Sequence, residues 1–265
     1  MDIGGGDLTG RVAIVTGASS GIGRATALAL ATRSVRVALA ARNVAALQGV
    51  AAKIEGLEQE ALVVPTDVTQ RIQVQHLVEE TLTRWNQVDI FVANAGQYVR
   101  RRVADLDLAD VERSMAVNFY GALHGVLAVL PNMLKRQSGH IVLVTSIDGK
   151  KGMPRDAPYA AAKFALAGFG EVMRQELFGT GVHVTTVCPG RVDTPMIEAL
   201  RVPWVSPKIA PEIVARAIVR GIRHRRAEIV VPSVYTPLLA MNVLLPRFVD
   251  WFVRVFHIEG WKVET

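Results

Sequence analysis

The chain has 265 residues, half of them hydrophobic and only 6% aromatic, so Ala, Val and Leu supply most of the packing. That length holds a sizeable core within one domain, and the composition suits layered α/β structure rather than a disordered or disulfide-stapled protein. The formal net charge of +6 raises the question of an anionic partner, with basic clusters at Arg100–Arg101–Arg102 and from Arg220 to Arg226. Zinc-finger spacing and aromatic-rich basic strands are both missing from the sequence, so nucleic acid is not expected. Solvated surface accounts for the clusters, with attraction to an anionic membrane or cofactor as the alternative.

Cys188 is the sole cysteine, so an internal disulfide is impossible and a reducing, cytoplasmic setting is the expectation. The opening "MDIGGGDLTGR" lacks a basic region followed by an apolar run, so a secretory signal is not expected. The six histidines are far apart and without cysteine neighbours, which predicts no metal site.

In chain order, "VAIV" (12–15) reads as a buried strand, and "TGASSGIG" (Thr16 to Gly23) follows it directly and opens the helix "GRATALALATR". Gly17, Gly21 and Gly23 would let the chain turn tightly, with Ser19, Ser20 and Ile22 between them, and bring backbone N–H groups and a helix N-terminus to a pyrophosphate. A plain strand-to-helix turn is the other reading. The second strand, "VRVALA" (35–40), leads to Arg42 where a dinucleotide-binding unit usually presents an acidic residue to the ribose. Arg42 would accept a 2′-phosphate through charge-assisted hydrogen bonds, which favours NADP(H) over NAD(H). A surface arginine starting a loop is the bland alternative.

"ALVV" (61–64), "VDIFVA" (88–93), "HIVLVT" (140–145) and "VHVTTV" (182–187) read as further strands, separated by helices such as "QVQHLVEETLTRW" and "APYAAAKFALAGFGEVMRQEL". Nearly continuous apolar strands alternating with helices indicate a parallel sheet covered on both faces, a Rossmann-type α/β fold of about seven strands once "EIVVP" is added. "DTPMIEALRVPWVSPKIAPE" reads as a long loop with a partial helix. Residues 1–265 are taken as one domain, with 232–265 as a hydrophobic C-terminal extension.

Tyr159 and Lys163 are four apart and so share one face of the sixth helical stretch, with Ser146 upstream. Scattered polar residues on an Ala-rich helix are one explanation; a proton donor tuned by a cation is the other. An ammonium beside the phenol would lower its pKa from the free value of about 10. Such a Tyr could give a proton to a carbonyl oxygen or take one from an alcohol, while Ser146 stabilises the charge developing on that oxygen.

"TGASSGIG", "ANAG" (93–96), Asn118 in "MAVNFYG", Ser146–Tyr159–Lys163 and "CPGRVDTP" occur in one order on the expected elements. In this the chain resembles the compact branch of the short-chain dehydrogenase/reductase family over about residues 8 to 231. The resemblance implies that Lys163 bonds the nicotinamide ribose and that Asn118 holds a water relaying protons to Lys163. It implies that Asn94, Ala95 and Gly96 line the adenosine side, and that Asp67 meets the adenine amino group with the Val68 backbone beside it. In "CPGRVDTP" it assigns Pro189 and Gly190 to the cofactor wall, and the Val192 backbone and Thr194 to the carboxamide.

The expected activity is an NADP(H)-dependent interconversion of a carbonyl and an alcohol. Met196, Ile197, Leu200 and Trp204 hint at an apolar substrate, such as a steroid, retinoid, acyl chain or other lipophilic ketone. The rivals are a non-catalytic cofactor-binding regulator or scaffold and a protein recruited to membranes by its tail. The family resemblance and the small residues Ala160, Ala161, Ala165, Ala167 and Gly168 suggest a homo-oligomer, although packing within the chain would use them equally well. In the tail, Arg247, Asp250, Arg254 and His257 lie opposite Phe248, Trp251, Phe252 and Val255, an amphipathic helix interrupted too often for a membrane span. Packing on protein, a lid over substrate and peripheral membrane contact through 238–257 are its three readings.

Overall fold

The computed structural model describes residues 6–262, and residues 1–5 and 263–265 lie outside the described residues. β1 (Val12–Thr16) turns into α1 (Gly21–Ala31), and the alternation continues through β2 (Arg36–Ala41), α2 (Val44–Glu55), β3 (Ala61–Pro65), α3 (Arg71–Trp85) and β4 (Ile90–Ala93). The next crossover is α4 (Leu108–Met115), a π-helical turn (Ala116–Tyr120) and α5 (Gly121–Arg136), followed by β5 (Gly139–Val144), α6 (Ala157–Glu176) and β6 (Val182–Pro189). Then come β7 (Leu200–Arg201), α7 (Pro211–Arg223), β8 (Glu228–Val231), α8 (Thr236–Leu244), α9 (Pro246–Val255) and β9 (Trp261–Lys262).

Among the described residues, seven strands form one parallel sheet in the order β3-β2-β1-β4-β5-β6-β8. The side chains of each strand alternate between two apolar layers. Val12, Ile14, Phe91 and Leu143 face α3, α5 and α6, whereas Ala13, Val15, Val92 and Val144 face α1, α2 and α7. Both layers are buried, which is why these strands read as unbroken apolar runs. The strand order reverses between β1 and β4, so the loops at their carboxyl ends diverge and open a crevice. Buried Asp89 fixes the opposite end of that pair: its Oδ2 accepts from the Val12 N–H at 2.8 Å and its Oδ1 from Arg136 at 2.7 Å.

The tail packs on its own chain, but not by the face expected. Val249, Val253 and Ile258 are buried, with Met153, Val205, Leu238, Met241 and Phe252 around them. Phe248, Trp251 and Val255 remain about half exposed, at 46%, 50% and 50%. The aliphatic side chains of α8 and the loop form the receiving surface, and Lys151 bonds Asp250 at the edge of the contact. His257 lies beyond the helix, in a turn with φ of +46°. The stretch expected to be a loop with a partial helix contains a 3-10 turn (Pro195–Ile197) and also β7, which pairs antiparallel with β9, so the end of the chain closes back on it.

α5 crosses β4 at Gly125, where a Cβ atom would lie 2.1 Å from Cζ of the fully buried Phe91. Gly125→Ala therefore forces the Phe91 ring aside and should destabilise the fold by about 1–3 kcal/mol. A thermal melt with no loss of Tm would contradict this packing.

Candidate active site

The turn after β1 is shaped by close approach. Gly17 has φ of +66°, and a Cβ there would meet Ala95 Cα and Asn94 Nδ2 at 2.9 Å. At Gly23 a Cβ would meet the Gly17 carbonyl at 2.2 Å. Thr16 stitches the two strand ends together: its Oγ1 accepts from the N–H groups of Asn94 (3.0 Å) and Ala95 (3.1 Å), and Asn94 Nδ2 donates to the Thr16 carbonyl at 2.9 Å. Ser20, at the start of α1, makes no side-chain cap, so the first-turn N–H groups face the crevice without one. A glycine cradle at an uncapped helix N-terminus fits the pyrophosphate of a dinucleotide.

The cleft has a volume of about 530 Å³, and nearly every residue singled out from sequence lines it. On the side of the glycine turn these are Gly17, Ser19, Ser20, Gly21, Ile22, Arg42, Asp67, Val68, Asn94, Ala95 and Gly96, and on the far side Pro189, Gly190, Val192 and Thr194. Arg42 is exposed at the end of β2, and Asn43 beside it caps α2 by accepting from the Ala46 N–H at 3.0 Å. Asp67 Oδ1 accepts from the Thr69 N–H and hydroxyl, which fixes the loop after β3.

Gly23 and Asn118 stand behind the wall, and Trp204 is 87% exposed and away from the cleft. Asn118 lies in the π-helical turn, a distortion that re-aims side chains near functional sites. Its Oδ1 accepts from the Gln97 N–H at 3.1 Å, and its Nδ2 donates to the Gln97 carbonyl at 2.9 Å and the Ser114 carbonyl at 3.0 Å. The amide thus clasps the loop after β4, and its bonds run to Gln97 and Ser114.

Ser146, Tyr159 and Lys163 all line the cleft. Lys163 is buried, and its Nζ donates to the Val144 carbonyl at 3.0 Å and lies 5.6 Å from the Tyr159 ring centroid. Burial draws its pKa down to about 8, against the opposing pull of Asp148. The expected lowering of the Tyr159 pKa is reversed. Burial pushes the phenol up and the Asp148 carboxyl pushes it further, while the Ser146 hydroxyl acts the other way. The Lys163 bond is made to backbone, and two acidic neighbours, Asp148 and Asp156, add to the effect of burial.

Those neighbours belong to a buried polar group. Tyr98 packs edge-on against Tyr159, with centroids 5.0 Å apart, and donates to Asp156 Oδ2 at 2.7 Å. Arg100 Nε donates to Asp156 Oδ1 at 3.1 Å, and its Nη2 donates to the carbonyls of Glu259 (2.7 Å) and Gly260 (2.9 Å). Arg100 is therefore structural, and Arg101 pairs with Asp110, so only part of that basic run is solvated surface. Ser146 Oγ and Asp148 Oδ2 are 3.2 Å apart. Their signal in the sequence was acidic and aromatic residues in the two loops that follow "ANAG" and Ser146.

The match to known proteins agrees with this geometry. The family model described as short chain dehydrogenase matches residues 11–203. The chain belongs to the short chain dehydrogenase family. This short chain dehydrogenase is 33% identical to the ketoacyl reductase HetN of Nostoc over 96% of its own length and 92% of that protein. It is 37% identical to the glycine betaine reductase ATRR of Emericella nidulans over 83% of its own length but 18% of that larger protein. A short chain dehydrogenase/reductase from Burkholderia phymatum, solved with NAD, superposes with a TM-score of 0.84 at 25% identity, covering 91% of this chain and 96% of that one. An alcohol dehydrogenase from the archaeon Thermococcus sibiricus, complexed with 5-hydroxy-NADP, gives 0.73 at 26% identity, covering 83% and 95%. The short chain dehydrogenase is thus an NAD(P)-dependent oxidoreductase acting on CH–OH and C=O groups.

Proposed function

We propose that the protein uses NADP(H) to interconvert a carbonyl and an alcohol on a lipophilic molecule, with Tyr159 as the acid and base. The observation that carries this reading is the convergence of Ser146, Tyr159 and Lys163 on one cleft whose remaining wall includes Met153, Met196, Leu200, Leu238 and Ile258. A nicotinamide held in this cleft would supply or accept the hydride. Ser146 holds the substrate oxygen by a hydrogen bond, and Tyr159 delivers a proton to it in reduction or removes one in oxidation. Lys163, buried beside the ring, offsets the negative charge left on the phenol once its proton has gone.

The NADP(H) preference rests on Arg42, which stands on the cleft wall at the end of β2 with Asn43 already engaged as a cap. Trp204 no longer supports an apolar substrate, but the aliphatic wall does. A homo-oligomer is supported by the outward stripe of Ala161, Phe164, Gly168 and Val172 on α6, and a monomeric mass from light scattering would remove it. Exposed Leu244, Leu245, Phe248 and Trp251, with Arg247 and Arg254 in the same stretch, support membrane-surface contact, which failure to co-sediment with anionic vesicles would remove.

The deciding experiment pairs NADPH and NADH titrations with turnover of a panel of aryl and alkyl ketones. Arg42→Ala should weaken NADPH by about tenfold to a hundredfold and leave NADH unchanged, the loss expected for charge-assisted hydrogen bonds. Tyr159→Phe should bind cofactor normally and lose about a hundred- to ten-thousandfold in kcat. Equal binding of both cofactors, or turnover untouched by Tyr159→Phe, would defeat the corresponding half of the reading.

A further inference from the structure

We infer that Asp148 is a positioning residue that works as a neutral carboxylic acid, donating its own hydrogen to Ser146 and so leaving the serine's single hydrogen for the substrate oxygen. The inference rests on the assignment of Ser146 to that oxygen. A serine hydroxyl has one hydrogen and two lone pairs. Ser146 Oγ already accepts from the Asp148 N–H at 3.0 Å, and its other contact within the loop is Asp148 Oδ2 at 3.2 Å. If Asp148 is a carboxylate, that second contact can only be the serine donating, and no hydrogen remains for a substrate. If Asp148 is the acid, Oδ2–H donates, both serine lone pairs are used, and the serine hydrogen is left for the cleft, where the Tyr159 hydroxyl lies beside it.

The surroundings favour the acid. Oδ1 of Asp148 is buried without a hydrogen-bond partner. An ionised carboxylate would leave charge on that unsolvated oxygen, whereas a neutral acid leaves only a carbonyl oxygen there. The charged and titratable groups facing it are Asp156, Arg100, Arg191, Tyr98, Tyr159 and Lys163. Arg100 is held by Asp156 and two backbone carbonyls, Arg191 donates to Ser206 at 2.6 Å, and Lys163 donates to Val144. Asp156 receives Tyr98 and Arg100, so of the two carboxyls it is the one equipped to stay ionised. Burial raises the Asp156 pKa as well, to about 6, and Asp148, without such partners, is the carboxyl of the two to carry a proton first. Burial, then the charge of Asp156, raise the Asp148 pKa to about 7 against the pull of Ser146, Arg191 and Arg100. Below that value Asp148 is neutral and Ser146 is free to donate. Above it Asp148 ionises and takes the serine's hydrogen.

The first test is carboxyl carbon NMR of the full chain labelled at aspartate, titrated without substrate, with the resonance assigned by its loss in Asp148→Asn. A midpoint near 7 is expected, and a midpoint in the ordinary range of about 4 overturns the inference. This readout needs no turnover, so its failure is distinct from failure of the proposed activity. The second test follows kcat/KM for reduction of 4-nitrobenzaldehyde by NADPH as pH rises. Wild type should lose about tenfold per pH unit above the midpoint, whereas Asp148→Asn, whose amide donates to Ser146 at every pH, should show no such break.

Stability supplies a third arm. A carboxyl whose folded pKa is raised favours the folded state while protonated, and that contribution is lost as pH climbs from the unfolded value of 3.8 to about 7. Asp148→Asn should therefore gain in Tm over wild type across that window. A variant that keeps the wild-type activity break, or that fails to fold although its amide matches the neutral acid in shape, overturns the proposal.

Discussion

An ammonium with 3% of its surface exposed needs an oxygen atom within hydrogen-bond reach, and Lys163 finds the Val144 carbonyl at the end of β5. That one bond ties the end of β5 to α6, whose Leu166 and Met173 pack on the sheet. It places Tyr159, one helical turn earlier, at the cleft, and Ser146 only two residues beyond the carbonyl. Gly149 lets the loop pass directly over this helix, since a Cβ there would lie 2.8 Å from the Lys163 carbonyl. Ser146, Tyr159 and Lys163 are thus brought together by a buried cation seeking a backbone oxygen, with the hydrophobic layers of the sheet holding the two elements in reach.

The cleft has two ends of different origin. The end at the glycine turn is built from the loops after β1, β2, β3 and β4 and lies within the segment that matches the family, residues 11–203. At the other end, Ser206, Tyr235, Leu238, Leu239 and Ile258 all come from beyond that segment. The extension is tied down through Arg100, which bonds two carbonyls of the tail and Asp156, while Asp156 bonds Tyr98 and Tyr98 packs on Tyr159. The position of the tail and the surroundings of Tyr159 are therefore coupled through a short chain of direct contacts. Of the three readings of the tail, packing on its own chain is the arrangement seen, and it brings Leu238, Leu239 and Ile258 to the cleft wall.

The parallel sheet was legible because buried parallel strands leave long apolar runs, and each of the seven expected runs lies in a strand within a residue or two at its ends. The glycine cradle and the Tyr159–Lys163 face were legible for the same kind of reason, since both depend on local spacing. Asp148, Asp156, Tyr98 and Arg100 were not, because their meaning comes from three loops meeting in space. Arg100 looked like one of three surface arginines until the carbonyls of residues 259 and 260 gave it a place. The rotation of α9 escaped for a related reason. Its sequence marks an aromatic stripe, but which stripe is buried depends on the aliphatic surface presented by α8 and Met153.

The central claim is that hydride moves between a nicotinamide cofactor and a carbonyl carbon within this cleft. It is tested most directly by incubating the protein and a ketone panel with NADPH deuterated at the reactive ring carbon, and locating the label in the product by mass spectrometry and NMR. The account predicts one deuterium on the carbinol carbon of any product, delivered with a single facial preference. An alcohol product without label at that carbon, or label spread over both faces, would contradict it.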